Sequence, residues 1–210
     1  MAKRIGIELN HVVRNINHQL LKYYCKAMHN MQDFDIDEVD ENSDVLNERI
    51  KFPTKKEKSD FIYIDYPYEI FGCAGAMDRN LPRDLNSWLV DISDIEDEDY
   101  EICFYSLYED NLSIQSTYFF LSKIGSRVRT MYFPHSEKEA VDKFDYIITA
   151  NKDVVTEAKA QGKKCIMIEK PWNQERKDDA FAVYDGLESV INDKEFFNKL
   201  KDEYGKEQQQ

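Results

Sequence analysis

The sequence predicts an α/β protein built on a parallel sheet of five strands with helices on both faces. Two observations lead to this prediction. A short apolar run at 5–7 opens the chain, and from residue 102 onward apolar runs of strand length alternate with segments of helical periodicity. Strands that alternate with helices at this spacing are typical of a parallel sheet covered on both faces.

The elements follow one another in a regular order. The first strand leads into a helical pattern near Asn15, where Leu20, Leu21 and Cys25 recur at three- and four-residue spacing. Later strands are predicted at 102–105, 128–133, 146–148 and 165–168. The helices between and after them are predicted to follow Ser106 up to Gly125, and to occupy 136–144, 152–160, 187–191 and 195–204.

Residues 31–99 interrupt this order and predict an insertion. It emerges beside the loop that follows the first strand, so we expect it to form a cap over the same edge of the sheet. Within it, 61–71 is interpreted as extended structure or a short strand interrupted at Pro67, and a helix begins at Pro82. Residues 1–30 and 100–210 would then form the core domain, ending in a frayed tail at 205–210.

Charge and cysteine content narrow the classes of function. The 210-residue chain has a formal net charge of −13, which argues against nucleic acid and anionic membranes as partners. The acidic runs at 33–44 and 91–101 are interpreted as solvated surface, with a basic protein partner as the alternative. The four cysteines lie far apart in or beside apolar segments, which predicts buried free thiols. Neither a signal peptide nor a membrane span is predicted, so the expected location is cytoplasmic.

Two polar residues at the end of the first strand are the candidate site. Glu8 and Asn10 are two residues apart and therefore share one side of the strand. Ligands of α/β proteins bind at the carboxyl ends of the strands. An acid and an amide at this position would hold a cation, a phosphate or nothing, and the residues alone leave these three alternatives open.

Five segments contain polar residues at or near the ends of the predicted strands. Residues 5–15 run from apolar residues into Glu8 and Asn10, Ser106 follows the strand at 102–105, and Lys138 precedes the strand at 146–148. Residues 145–151 run from apolar residues into Thr149 and Ala150, and 170–173 reads Lys-Pro-Trp-Asn.

Together these segments resemble the haloacid dehalogenase superfamily, and within it phage and bacterial proteins similar to 5'(3')-deoxyribonucleotidases. Residues 5–15 resemble the opening signature, D-x-D-G-V-x-x-D, Ser106 stands at the Ser/Thr of the second motif, Lys138 matches the lysine of the third, 145–151 aligns with the fourth, and 170–173 resembles a Pro-Trp-Asn turn. The resemblance implies a Rossmannoid core with a cap.

The resemblance also implies a site, from which this sequence departs. Such phosphatases use a carboxylate nucleophile, a second acid as acid/base, and Mg²⁺ held by further acids. Glu8 stands at the nucleophile position with one methylene more than Asp, and Asn10 stands at the acid/base position. Thr149 and Ala150 stand where metal-binding acids are expected. Ser106 and Lys138 remain as candidate phosphate-binding residues.

The opening signature contains further departures, and three residues are candidates to compensate for them. His11 replaces the glycine of the opening signature, and Asn15 replaces an acid. His11 could serve as acid/base, but a single loop histidine is more often an ordinary polar residue. Asp153 and Asp110 could approach a metal, but acids at the start of helices are more often caps, and Glu109 and Asp110 together are expected to cap the helix that follows them.

The sequence therefore predicts a catalytically degenerate protein with a binding, regulatory or structural role, in a phage particle or a phage-encoded complex. Its expected partners are proteins, with a small phosphorylated ligand as a further option, and its location is the host cytoplasm or the virion. No cofactor and no metal site are expected. The alternatives are an active Mg²⁺-dependent nucleotidase that uses Glu8 as nucleophile, and a non-catalytic nucleotide or phosphate sensor at Ser106 and Lys138.

Overall fold

A computed structural model of the protein describes residues 2–27, 50–93 and 100–202. The acidic run at 33–44, most of the second acidic run and the tail at 205–210 lie outside the described residues. The predictions made for those segments therefore stay predictions.

The core of the described chain is a sheet of six parallel strands. The six strands are β1 (Lys3–Glu8), β4 (Tyr100–Tyr105), β5 (Thr130–Tyr132), β6 (Tyr146–Thr149), β7 (Lys164–Ile168) and β8 (Ala182–Tyr184). Their spatial order is β5-β4-β1-β6-β7-β8, so the first strand lies in the interior of the sheet between β4 and β6. The prediction of a parallel sheet is confirmed, but the number five was wrong, because β8 adds an edge strand.

Helices lie on both faces of this sheet, as predicted. A separate hydrophobic cluster lies on each face of the sheet. Ile5 and Ile7 of β1 belong to one cluster, whereas Cys103 and Tyr105 of β4 belong to the other. The helices of the described residues are α1 (Asn17–Ala27), α2 (Lys55–Asp60), α3 (Leu81–Ser93), α4 (Asn111–Lys123), α5 (Glu137–Lys143), α6 (Lys152–Ala160), α7 (Leu187–Asn192) and α8 (Phe196–Asp202). A 3-10 helix spans Gln174–Asp179.

The aromatic run that was predicted to be extended is helical, so that prediction was wrong. Phe61–Asp65 and Tyr68–Gly72 each form a π-helical turn. The winding places Phe61 against Phe52 and Tyr66, with ring centroids 5.2 and 4.6 Å apart. An aromatic cluster against α1 outweighs the strand propensity of these residues, which depends on context.

The described residues of the insertion also include a short strand and a longer helix. A short antiparallel pair joins β2 (Arg14–Asn15) to β3 (Gly75–Ala76), and it ties the loop after β1 to the insertion. Helix α3 places Leu81, Leu85 and Trp88 in the same hydrophobic cluster as β1. The division into a core and a cap at 31–99 stays a prediction, and this last helix packs with the core.

Three of the four cysteines are buried as expected, and Cys73 is an exception. Cys25, Cys103 and Cys165 are buried free thiols, and Cys73 is a half-buried one. Among the helices of the described residues, none combines the length and the apolar character that crossing a membrane requires.

Candidate functional site at the carboxyl edge of the sheet

The loop that follows β1 turns the chain back on itself and buries Arg14. The backbone N–H of His11 donates to the carbonyl of Arg14 at 2.8 Å, and Arg14 then pairs with Ala76 across the short antiparallel pair. This turn returns Arg14 to the side of Asn10, four residues earlier in the chain. The Arg14 side chain is completely buried at the carboxyl edge of the sheet.

The guanidinium of Arg14 is held by polar groups from three segments. Its Nη2 donates to Oε1 of Glu109 at 2.6 Å, and its Nη1 donates to Oγ1 of Thr117 at 2.6 Å. Its Nε and Nη2 donate to Oδ1 of Asn10 at 3.0 and 2.7 Å, and Ser106 Oγ lies 3.4 Å from Nη2. We refer to Asn10, Arg14, Ser106, Glu109 and Thr117 as the Arg14 cluster.

The carboxylate of Glu109 is the negative centre of the Arg14 cluster. The hydroxyl of Ser106 donates to its Oε1, and the hydroxyl of Thr117 donates to its Oε2. The Nδ2 of Asn10 in turn donates to Ser106 Oγ at 3.3 Å. Both oxygens of a fully buried carboxylate are therefore hydrogen-bonded, as the burial of a charge requires.

The surroundings of the Arg14 cluster are apolar. The guanidinium carbon of Arg14 lies 4.6 Å from the centre of the Phe71 ring and 5.4 Å from that of Phe120, so two aromatic rings flank the charge. Burial lowers the pKa of Arg14, and the neighbouring Glu109 acts in the opposite direction. A guanidinium stays protonated in proteins, so the cluster is an internal ion pair.

Glu8, at the end of β1, faces β6 and forms hydrogen bonds outside the Arg14 cluster. The Thr149 hydroxyl donates to its Oε2, and the backbone N–H of Ala150 donates to the same oxygen at 3.2 Å. Glu8 is 5% exposed, and burial raises its pKa to about 7, against the effect of these hydrogen bonds. The nearby Tyr105 hydroxyl is also buried. Its burial is the main reason why the pKa of Tyr105 is raised, and the charge of Glu8 raises it further.

These residues do not fit the Mg²⁺ site that the resemblance implies. Mg²⁺ prefers several oxygen ligands in near-octahedral geometry. The Oε2 of Glu8 accepts two hydrogen bonds, and the Oδ1 of Asn10 accepts from the Arg14 guanidinium. Within residues 2–27, 50–93 and 100–202, no group of three or more His, Cys, Asp or Glu side chains is arranged to hold a metal.

His11 occupies a backbone conformation that favours glycine. Its φ is +65°, in the left-handed region that glycine adopts without a steric penalty. The imidazole packs edge-on against Trp172, with ring centroids 5.1 Å apart. Burial first, and then the charges of Lys170 and Arg14, lower its pKa to about 4, which is far from the value that acid/base work at neutral pH needs.

The turn at 170–173 fixes the loop that follows β6. The completely buried Asn173 donates from Nδ2 to the carbonyls of Ala150 and Ile168 at 3.0 and 2.9 Å, and its Oδ1 accepts from the Lys170 N–H at 2.8 Å. Trp172 donates from Nε1 to the Ala150 carbonyl at 3.3 Å. The turn therefore positions Ala150, whose N–H contacts Glu8.

The structure brings only some of the predicted site residues together. Asn10 and Ser106 meet within the Arg14 cluster, and Glu8 meets Thr149 and Ala150. Lys138 is exposed in the first turn of α5, where its side-chain ammonium forms no hydrogen bond or ion pair with a described residue. The catalytic and phosphate-binding roles assigned from the sequence stay predictions.

The two acids considered as compensating ligands lie at helix starts. Asp110 is the N-cap of α4, and its backbone N–H donates to Ser113 Oγ at 2.8 Å. Asp153 is exposed in the first turn of α6, whose N-cap is Asn151. The interpretation of Asp110 as a cap matches the structure, whereas Glu109, expected to help cap the same helix, belongs to the Arg14 cluster.

Sequence reasoning missed Arg14, Glu109 and Thr117. One signal was available, because Arg14 directly follows two valines that are buried in the fold, and a charge in such a context needs a partner. The identity of that partner was not readable, since Glu109 lies 95 residues away in the chain.

Comparison with solved structures identifies the fold. A haloacid dehalogenase-like family hydrolase from Streptococcus pneumoniae is similar with a TM-score of 0.52 and 10% identity, over 90% of this chain and 97% of that one. A haloacid dehalogenase superfamily hydrolase of subfamily IA from Geobacter sulfurreducens is similar with a TM-score of 0.52 and 10% identity, over 91% and 99%. No protein-family model and no curated protein sequence matches the chain. The fold of the chain is that of the haloacid dehalogenase superfamily.

Proposed function

We propose that this protein is a non-catalytic member of the haloacid dehalogenase fold, with a binding or structural role in place of phosphoryl transfer. The observation that carries the proposal is the Arg14 cluster. It places a buried ion pair between the loops that follow β1 and β4, where the resemblance implies a catalytic acid and a phosphate-binding hydroxyl.

Glu109 supports the proposal because it acts as an internal anion. A phosphate at this edge would be held by hydroxyl groups and by a cation. The hydroxyls of Ser106 and Thr117 and the guanidinium of Arg14 already donate to the Glu109 carboxylate. A phosphorylated ligand would have to displace a buried, fully hydrogen-bonded carboxylate from these donors.

Asn10 supports the proposal through its chemistry. An amide does not exchange protons at neutral pH, so it cannot protonate a leaving oxygen or activate water. Its Oδ1 and Nδ2 are both committed to hydrogen bonds within the Arg14 cluster. The resemblance to phage nucleotidase-like sequences supports the further proposal that the role is exercised in a phage-encoded complex.

Phosphate release tests the proposal. The wild type and Glu8→Ala would be compared with p-nitrophenyl phosphate and with deoxynucleoside monophosphates, in the presence of Mg²⁺. We expect no release by the wild type above that of Glu8→Ala, because Asn10 cannot exchange protons and the described residues present no set of metal ligands. Mg²⁺-dependent release that Glu8→Ala abolishes would show an active phosphatase.

A thermal shift separates the sensor alternative. Stabilisation by deoxynucleotides without Mg²⁺, lost in Lys138→Ala, would support a phosphate sensor at Ser106 and Lys138. The matched control is Lys143→Ala in the last turn of the same helix. We expect deoxynucleotides to leave the melting temperature of the wild type and of both variants unchanged, because the Ser106 hydroxyl is completely buried and donates to Glu109.

A further inference from the structure

An apolar groove runs between the insertion and the core. Its volume is about 340 Å³, and it lies between the π-helical segments and the first half of α4. Ile64 and Tyr68 line it from the insertion, and Leu112 lines it from α4. The groove is separate from the Arg14 cluster, none of whose five residues lines it.

The walls of the groove expose large apolar side chains. Ile64 is 62% exposed, Leu112 is 55% exposed and Tyr68 is 49% exposed. Phe119, about two turns after Leu112 in α4, is 45% exposed, and its ring centroid lies 5.3 Å from that of Tyr68. Exposed apolar side chains that lie together mark surfaces that contact another molecule, whereas scattered ones carry no such meaning.

The charges of the groove have one sign. Asp65 and Glu69 are the charged residues that line it, and neither forms an ion pair within the described part of the chain. Asp110, the exposed N-cap of α4, adds a carboxylate two residues before Leu112. The whole chain carries a net charge of −13, so its long-range field also attracts cations.

We propose that this groove binds a basic amphipathic helix of another protein. An apolar stripe with side chains at i, i+3 and i+4 would contact Ile64, Tyr68 and Leu112, as helices do in hydrophobic grooves. Lysine or arginine beside that stripe would face Asp65 and Glu69, which sets specificity and speeds association. This inference names a partner class for the proposed binding role and rests on it.

The same charges disfavour two other occupants. A symmetric contact between two copies would bring Asp65 and Glu69 of one copy towards those of the other, because a two-fold interface uses the same patch twice. The anionic surface of a membrane attracts Lys and Arg and would repel this acidic rim.

Binding of two synthetic peptides tests the inference. One is a short helical peptide of Leu and Lys with a leucine stripe, and the other has Glu at every Lys position. Fluorescence anisotropy of the labelled peptides with the full chain gives the affinities. We expect the Leu/Lys peptide to bind and the Leu/Glu peptide to bind at least about tenfold more weakly. Equal affinities, or no binding of the Leu/Lys peptide at about 1 mM, would overturn the proposal.

Matched variants separate the groove from general charge attraction. The double variant Ile64→Ser with Leu112→Ser keeps the net charge, and we expect it to bind the Leu/Lys peptide about tenfold more weakly. Val183→Ser, another exposed apolar residue, is the control and should leave the affinity unchanged. Equal losses in the double variant and in Val183→Ser would contradict the groove as the site. Circular dichroism melts confirm that each variant is folded.

Charge reversal gives a second, independent readout. The double variant Asp65→Lys with Glu69→Lys should bind the Leu/Lys peptide more weakly than the wild type does. It should bind the Leu/Glu peptide more tightly. Retained preference for Leu/Lys would overturn the assignment of these carboxylates. Dimerisation of the wild type that Ile64→Ser abolishes in sedimentation velocity would instead identify a second copy as the occupant. Phosphate release is measured separately, so failure of the proposal that the protein is non-catalytic would not be confused with failure of the proposal for the groove.

Discussion

Arg14 Nη2 lies 2.6 Å from Oε1 of Glu109, and both side chains are completely excluded from solvent. Arg14 begins β2, directly after the loop that follows β1, and Glu109 lies in the loop that follows β4, a neighbour of β1 in the sheet. Their contact gives this edge an internal cation and an internal anion. The edge therefore has the polar character of a ligand site while its polar groups bond to one another.

The buried carboxyl of Glu8 predicts a pH dependence of stability. Its pKa is raised from 4.5 to about 7 in the folded protein, so folding takes up a proton between these values. The resulting stability is fully present below about pH 4.5 and is lost as the pH rises through about 7. Relative to the wild type, Glu8→Gln should gain about 3 kcal/mol in the free energy of unfolding across that window. Urea denaturation at a series of pH values measures the difference.

His11 provides the opposite control for this experiment. Its pKa is lowered from 6.5 to about 4, so its contribution to stability is present above about pH 6.5 and is lost as the pH falls through about 4. His11→Asn should therefore lose stability relative to the wild type as the pH rises through this range. Parallel pH curves for Glu8→Gln and the wild type would show that Glu8 titrates normally.

Removal of the buried amide of Asn173 should lower the free energy of unfolding by a large amount. Asn173→Ala breaks two hydrogen bonds to backbone carbonyls and one from a backbone N–H, all of them buried. We expect the free energy of unfolding to fall by about 3 kcal/mol, because buried backbone groups are left without partners. The control is Asn86→Ala, whose amide also contacts two backbone groups, Gly125 and Arg127, but at the surface. It should cost about 1 kcal/mol or less, and equal costs would contradict the argument.

Gly6 predicts a steric effect in the centre of β1. A Cβ atom at this position would lie 2.4 Å from Cδ2 of the buried Phe144 ring, too close for the core to accommodate without a shift. Gly6→Ala should lower the free energy of unfolding by about 3 kcal/mol in urea denaturation. Gly75→Ala is the matched control, because no atom lies within 4 Å of the added Cβ. If Gly6→Ala left the free energy of unfolding unchanged, the Phe144 ring would have to move aside without cost, which would contradict the argument.

The interior strands of the sheet were predictable because they carry apolar side chains on both faces of the sheet. The runs at 102–105, 146–148 and 165–168 are buried throughout, and such runs bounded by helical patterns indicate parallel strands. Strand β8 was missed because Ala182–Tyr184 is short and only partly buried. An edge strand of this kind carries little hydrophobic signal.

The candidate site was predictable as a place but not as a chemical arrangement. The positions of Glu8, Asn10 and Ser106 follow from the ends of strands, which the sequence indicates. The pairing of Arg14 with Glu109 depends on how two loops meet in space, and local periodicity contains no information about it. The winding of 61–65 was missed for a similar reason, because its aromatic side chains pack against distant residues such as Tyr24.

A double-mutant cycle between Arg14 and Glu109 tests the central claim most directly. The single variants Arg14→Met and Glu109→Met each leave an unpaired buried charge, whereas the double variant removes both charges. We predict that each single variant loses about 3 kcal/mol or more in the free energy of unfolding, and that the double variant recovers most of that loss. The exposed pair Arg83–Asp84 is the control and should show coupling below about 1 kcal/mol. Single variants that each cost less than about 1 kcal/mol and add independently would contradict an internal ion pair at this edge.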